Sequence, residues 1–183
     1  MNLKATIGME THVELDTKSK MFCSCEVVET DEPNISVCPT CLGLPGALPV
    51  PNKTAIEYIV MLSLGANCKI TNEGMFHRKN YFYPDLPKNY QISQFDFPVG
   101  VNGSLEIVLD EELHSVEIER VHMEEDTGKS VHIGSGRIDS ATSTLLDFNR
   151  SGIPLVEVVT KPVISTSKMA VAYIEELRQL VID

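Results

Sequence analysis

The chain has 183 residues, 43% of them hydrophobic, and a formal net charge of -11, enough for one good-sized domain or a domain with a small module. That charge argues against broad electrostatic binding to nucleic acid, which needs many Lys and Arg opposite phosphates, and leaves carboxylates to hold a hard cation such as Mg²⁺. No apolar stretch is long enough to span a bilayer, and Met1-Asn2-Leu3-Lys4 lacks the apolar core of a signal peptide, so a cytoplasmic location without membrane contact is expected.

Leu3 to Leu15 reads as a strand in which Glu10, His12 and Glu14 take every second position and share one face. Residues 22–51, rich in Cys, Pro and Gly, read as loop. Asn52 is a candidate N-cap for a helix over Lys53 to Gly65, with Ile56, Ile59, Val60 and Leu64 on its apolar stripe. Residues 77–97 mix bases, aromatics and prolines and read as extended and irregular. Asn102-Gly103, between Val99–Val101 and Leu105–Leu109, predicts a type I′ hairpin turn. Val116 to Met123 alternates as a strand, Gly134-Ser135-Gly136 reads as a loop, and Ser143–Phe148 and Ile153–Val159 are further strands. Ser167 caps a last helix whose buried face is Ala170, Ile174, Leu177 and Val181. Several strands and two helices without strict alternation give an α+β fold with a mostly antiparallel sheet and flanking helices. The chain stops without a capping Gly, as a truncated chain would.

Three constellations carry chemistry. Cys23-Ser-Cys25, twelve residues, then Cys38-Pro-Thr-Cys41 can surround one Zn²⁺ with four thiolates, a closed structural site. Four unligated thiols in a reducing cytosol fit the same spacing, and a redox dithiol fits it less well; Cys68 reads as a buried core thiol. Second, Glu10 and His12 on the first strand, Glu124, Glu125 and Asp126 at the end of another, and Glu157 inside an apolar run would converge on Mg²⁺ and nucleotide phosphates if their strands are neighbours. Otherwise Glu124 to Asp126 cap a turn and Glu157 faces solvent. Third, Arg78 to Pro84 with Lys88 and Tyr90 offers cations for phosphates and aromatic faces for bases, or is a surface segment with snorkelling side chains. Thr127-Gly128-Lys129-Ser130 mimics the end of a P-loop, but Met123 stands where the motif needs a Gly.

Six runs taken together resemble the signatures of the B subunit of the aspartyl/glutamyl-tRNA amidotransferases. They are Ile7 to Val13 (IGMETHV), Leu44 to Pro49 (LPGALP), Arg78 to Lys88 (RKNYFYPDLPK), Tyr90 to Gln94 (YQISQ), His122 to Asp126 (HMEED) and Asp147 to Arg150 (DFNR), in the family's order over nearly the whole chain. The resemblance implies that residues 1–183 form an N-terminal catalytic (cradle) domain with a glutamine synthetase-like core and a zinc-binding insertion at about 22–42, the C-terminal helical and tail domains being absent. It implies ATP- and Mg²⁺-dependent phosphorylation of the side-chain carboxylate of mischarged Glu-tRNA(Gln) or Asp-tRNA(Asn). Ammonia from a partner amidase, the A subunit, then displaces the phosphate, and a small C subunit holds the assembly together. The matching positions for Mg²⁺ and ATP chemistry are Glu10, His12, Glu124, Glu125 and Glu157, with Lys79, Lys88, Lys129 and Arg150 as candidates for phosphate or substrate contacts. One departure stands out: Thr160-Lys161-Pro162-Val163 replaces the Ser-Glu-Pro-Asp-like run usual there. That departure motivates an alternative, a non-catalytic zinc-containing binding module or inactive truncated paralogue.

Overall fold

Fourteen-residue strand β6 (Glu112–Glu125) is the backbone of the molecule. In the computed structural model, which describes residues 3–134 and 138–182, it pairs on one edge with β5 (Gly100–Leu109) and then β4 (Tyr90–Ser93), and on the other with β9 (Pro154–Thr160). β9 pairs in turn with β1 (Glu10–Glu14), β4 with β3 (His77–Asn80), and β5 with the short β2 (Lys69–Ile70). All pairings in this seven-stranded sheet are antiparallel. A separate two-stranded ribbon joins β7 (Lys129–Ile133) to β8 (Ser143–Asp147). Helices α1 (Lys53–Gly65) and α2 (Ser167–Ile182) pack on β5, giving the expected α+β architecture with an antiparallel sheet.

The two faces of the sheet divide by residue parity. Val121 and Met123 of β6 and Val156 and Val158 of β9 point into the helix-covered core with Ile59, Leu62, Tyr173 and Leu177. Burying one such aliphatic side chain is worth about 1.5–3 kcal/mol. The alternate positions, Arg120, His122 and Glu124 on β6 and Glu157 on β9, face the other way.

Several expectations need correction. The first strand is confined to Glu10–Glu14, because its partner β9 ends at Thr160 and turns at Pro162; among the described residues before it, only Ile7 makes a bridge, to Ile164. Helix α1 and its Asn52 cap lie where expected, Asn52 Oδ1 accepting from Ala55 N at 3.3 Å. Its buried stripe is Ala55, Ile59 and Leu62, whereas Ile56 and Leu64 are exposed. Small residues set that orientation, since they let the helix end approach β5. A Cβ on Gly103 would lie 2.4 Å from Cys68 Sγ and 2.5 Å from Ala66 O. Asn102-Gly103 is therefore inside β5 rather than at a turn. The hairpin turns instead at Asp110-Glu111, both at positive φ (51° and 66°), a type I′-like pair built without Gly. Residues 77–97 are not irregular: β3 and β4 pair across them. In α2 the cap is Thr166, whose Oγ1 accepts from Met169 N at 3.1 Å, and Val181 is exposed while Tyr173 is buried. Of the expected 134–136 loop, Gly134 is a bend and residues 135–136 lie outside the described residues.

Gly103→Ala should lower thermal stability by about 1–3 kcal/mol, because the close helix–strand approach leaves the new carbon no room. Gly8→Ala, whose added carbon meets nothing nearer than 3.8 Å, is the control and should melt like the parent protein. Equal melting temperatures for the two variants would show that the helix end can retreat without cost.

Candidate functional site

Three adjacent strands, β1, β9 and β6, place one row of side chains on the open face of the sheet. The register pairs His12 with Glu157 and Glu157 with His122, and Glu124 follows His122 by two residues on the same face. His12 Nε2 lies 3.5 Å from Glu124 Oε2 and 4.0 Å from Glu157 Oε2. His122 Nε2 lies 3.1 Å from Glu157 Oε2 and 3.4 Å from Glu124 Oε1. One atom each from His12, Glu124 and Glu157 falls within 4.8 Å of the others, a set able to hold a metal ion. Two carboxylate oxygens suit a hard cation and an imidazole nitrogen can complete the set. Lys79 Nζ reaches within 3.7 Å of Glu124, and Gln91 Nε2 donates to Glu124 Oε2 at 3.2 Å. Beside His12, Lys79, Gln91 and Glu124 opens a cleft of about 520 Å³, also lined by Glu14, Tyr81, Asp126 and Thr127; Glu157 and His122 lie outside that lining.

Burial works against ionised Glu124, but the bond from His122, the charge of Lys79 and a bond from Ser93 outweigh it and hold the carboxyl at about 2. The His122 bond likewise holds Glu157 below the usual carboxylate range against its burial. Burial pulls His122 down, yet Glu124 and Glu157 together raise it above its ordinary value. Burial raises Asp126, opposed by Arg150. The site is thus a block of buried negative charge with one exposed imidazole, His12, at its mouth.

The sign of the pH dependence follows. A depressed carboxyl contributes stability above its unfolded pKa near 4.5 and loses it as pH falls through the folded value. Raised His122 contributes below 6.5 and loses that contribution as pH rises through its folded value. In metal-free protein the urea midpoint gap between wild type and Glu124→Gln should therefore be widest between pH 4.5 and 6.5 and close progressively toward pH 2. A gap independent of pH over that window would remove Glu124 as the ionised partner of His122.

The other expected residues scatter around this row. Glu10 shares the face of His12, two residues earlier, and is exposed. Glu125 does not join the row, because adjacent strand residues point to opposite faces. On the far face it ion-pairs with buried Lys88 and accepts from Ile92 N at 2.9 Å. Lys88, expected near phosphates, is thereby turned away from the cleft. Arg150 braces the cleft rim, donating to Thr127 O at 3.1 Å and Gly128 O at 3.0 Å and pairing with Asp126 at 3.1 Å. Lys129 is exposed at the start of β7, outside the cleft lining. Lys161, in the departing 160–163 run, pairs with Glu117 at 3.6 Å and also lies outside that lining. His122 and Gln91 were missed as site residues. For His122 the signal was present: it sits two positions before Glu124 in an alternating strand.

The Cys sulfurs of Cys23, Cys25, Cys38 and Cys41 form a second group within 4.8 Å of one another, with Cys23 and Cys41 beside Lys20, Lys88 and Gly152. Cys38 N donates to Cys41 Sγ at 3.1 Å, and Leu42 N to Cys38 O at 3.0 Å, the tight turn that lets two sulfurs face one point. A bond from Cys23 is the largest influence on Cys41 and, with Lys20 nearby, holds its thiol down at about 4 against burial; burial pushes Cys25 up to about 11. Cys68 stands apart in the core, its thiol raised by burial to about 11.

Residues 5–183 match the family model described as the GatB/GatE catalytic domain. The chain is 56% identical over 177 residues to the B subunit of the aspartyl/glutamyl-tRNA(Asn/Gln) amidotransferase of Frankia casuarinae, covering 96% of this chain and 35% of that protein. It is 55% identical over 181 residues to the protein of the same name from Nocardia farcinica, covering 95% and 36%. The chain spans about a third of the length of these curated relatives. No helix among the described residues is long and apolar enough to cross a membrane.

Proposed function

The chain belongs to the GatB/GatE catalytic-domain family, and from that premise we propose that it is the carboxylate-activating part of the B subunit of an aspartyl/glutamyl-tRNA amidotransferase. The observation that carries this reading is the cluster of His12, Glu124 and Glu157 from β1, β6 and β9, of which His12 and Glu124 line one cleft. The substrate is the side-chain carboxylate of Glu on tRNA(Gln) or Asp on tRNA(Asn). A carboxylate is a poor acyl donor because its oxygen leaves badly. One carboxylate oxygen therefore attacks the terminal phosphorus of ATP, the bond to the ADP oxygen breaks, and an acyl phosphate results. Ammonia from a partner amidase then attacks the carbonyl carbon, phosphate leaves with the electron pair, and the amide remains. A third, small partner protein fits the same reading, as does a cytoplasmic assembly.

Mg²⁺ held by His12, Glu124 and Glu157 would supply the positive charge that offsets two approaching anions. His122 keeps both carboxylates ionised and oriented, and Gln91 fixes Glu124 from the β4 side. Lys79, exposed and already aimed at Glu124, is placed to turn toward a phosphate. Glu10 adds negative charge beside His12, and Arg150 holds the Asp126–Gly128 rim. Glu125 and Lys88 support the site from behind by fixing the end of β6 and the start of β4. The core is read as glutamine synthetase-like. The Cys loop, about residues 22–42, is read as an insertion holding structural Zn²⁺: four thiolates close the coordination sphere and leave no open position for catalysis.

The test is calorimetric titration of ATP with Mg²⁺ into the assembled full-length enzyme and its His12→Ala variant. The variant should bind more weakly by tenfold or more, about 1.4 kcal/mol. No binding by either protein would leave a non-catalytic zinc-containing module as the better reading, and equal binding by both would remove His12 from the nucleotide site.

A further inference from the structure

Lys20 is fully buried, with 0% of its surface exposed. An isolated buried ammonium is costly unless hydrogen bonds and an opposite charge compensate it. The hydrogen bonds are present: Nζ donates to Ser36 O at 2.7 Å and to Phe148 O at 3.1 Å. Among the described residues no carboxylate pairs with it, and carbonyl dipoles do not cancel a full charge. Its remaining polar contact is Cys41 Sγ at 3.8 Å, and the Glu125 carboxylate across Gly152 is taken up by Lys88. Four thiolates around a divalent ion keep two net negative charges in the same interior, which also need an offset.

Taking the zinc reading as its basis, we propose that Lys20 is the counter-charge of the four-Cys metal centre and the tie that joins that centre to the corner between β8 and β9. Three segments cross at its Nζ. Its own segment carries Cys23 and Cys25 and closes on itself through Lys20 N to Cys25 O at 3.0 Å. Ser36 precedes Cys38, and its N donates to Asn149 Oδ1 at 2.9 Å. Phe148 and Asn149 form the corner, and Asn149 Nδ2 donates back to Glu32 O at 2.8 Å. The next residue, Arg150, braces the cleft rim at Thr127 and Gly128. Metal retention and rim position thus share one buried cation. Lys20 is a positioning residue: it lines neither the cleft nor the reacting atoms.

The full-length protein tests this by competition for zinc against a chelator of known affinity. Wild type should retain one zinc per chain; if it retains none, the zinc reading itself fails before Lys20 is at issue. Lys20→Met keeps the length and apolar stem but removes the charge, and should weaken zinc binding about 10- to 100-fold. Asn149→Ala cuts the corner's hydrogen bonds without changing charge, and should weaken zinc binding by less than about threefold. Unchanged affinity in Lys20→Met, or an equal loss in Asn149→Ala, would overturn the counter-charge. Should Lys20→Met not fold, amine acylation of wild type decides. Lys20 should be protected with zinc bound and react after chelation; equal protection in both states would overturn the proposal.

Discussion

Glu124→Gln should cut tRNA-dependent amide formation by the assembled enzyme about 10²- to 10³-fold while the partner's glutamine hydrolysis continues. The substitution preserves shape, so the fold should persist. It removes the negative charge on which His12, His122 and Lys79 converge at 3.5, 3.4 and 3.7 Å. Without it the cleft loses a carboxylate donor for a cation, and His122 loses one of the two partners that raise its pKa. The loss should appear in kcat for ATP cleavage as well as in metal affinity, because charge is offset mainly where two anions meet. Mischarged-tRNA-dependent ADP release is the measurement. A rate within threefold of wild type, with glutaminase intact, would remove the row on β1, β9 and β6 from the chemistry. Glu157→Gln should act in the same direction, since it shares His122 at 3.1 Å.

Much of this row was legible from alternation alone. Glu10, His12 and Glu14 were expected on one face, and the structure puts them there. Glu157 inside an apolar run was an anomaly that only a partner could explain, and His122 and His12 flank it across the sheet. The same rule forbade Glu124 and Glu125 from sharing a face, so the expectation that both met one ion conflicted with the spacing that motivated it. Which strands are neighbours was not legible, because pairing between residues some 145 apart leaves no local mark. That distance separates His12 from Glu157.

Turn chemistry misled for a different reason. Asn102-Gly103 has the composition of a hairpin turn, yet Gly103 serves the close approach of the α1 end. The actual turn, Asp110-Glu111, uses two residues that tolerate positive φ only when the flanking strands demand it. The α1 stripe failed similarly: several rotations bury some aliphatic residues, and the contact with Gly100 and Gly103 selects the one that buries Ala55 and Ser63. Long-range contacts also ended the first strand early, at the point where β9 leaves it.

Lys88→Met should cost about 3–5 kcal/mol of stability, more than any single change on the open face of the sheet. Lys88 and Glu125 side chains are only 6% and 3% exposed, so removing the cation strands a buried carboxylate. The remaining bond from Ile92 N, at 2.9 Å, offsets part of that cost without neutralising the charge. Lys88→Met with Glu125→Gln should therefore be more stable than Lys88→Met alone, since the amide oxygen can still accept from Ile92 N while no charge is left unpaired. Urea unfolding of the parent, both single variants and the double variant closes the cycle. A Lys88→Met loss below about 1 kcal/mol would mean that Glu125 takes up a proton or reaches water. The consequence reaches the other face. Gln91 Nε2 donates both to Glu125 O at 2.7 Å and to Glu124 Oε2 at 3.2 Å, so a shift of β6 at Glu125 displaces the carboxylate in the cleft. Lys88→Met should accordingly weaken ATP-dependent turnover at temperatures where the protein is still fully folded, through a pair that never touches the cleft.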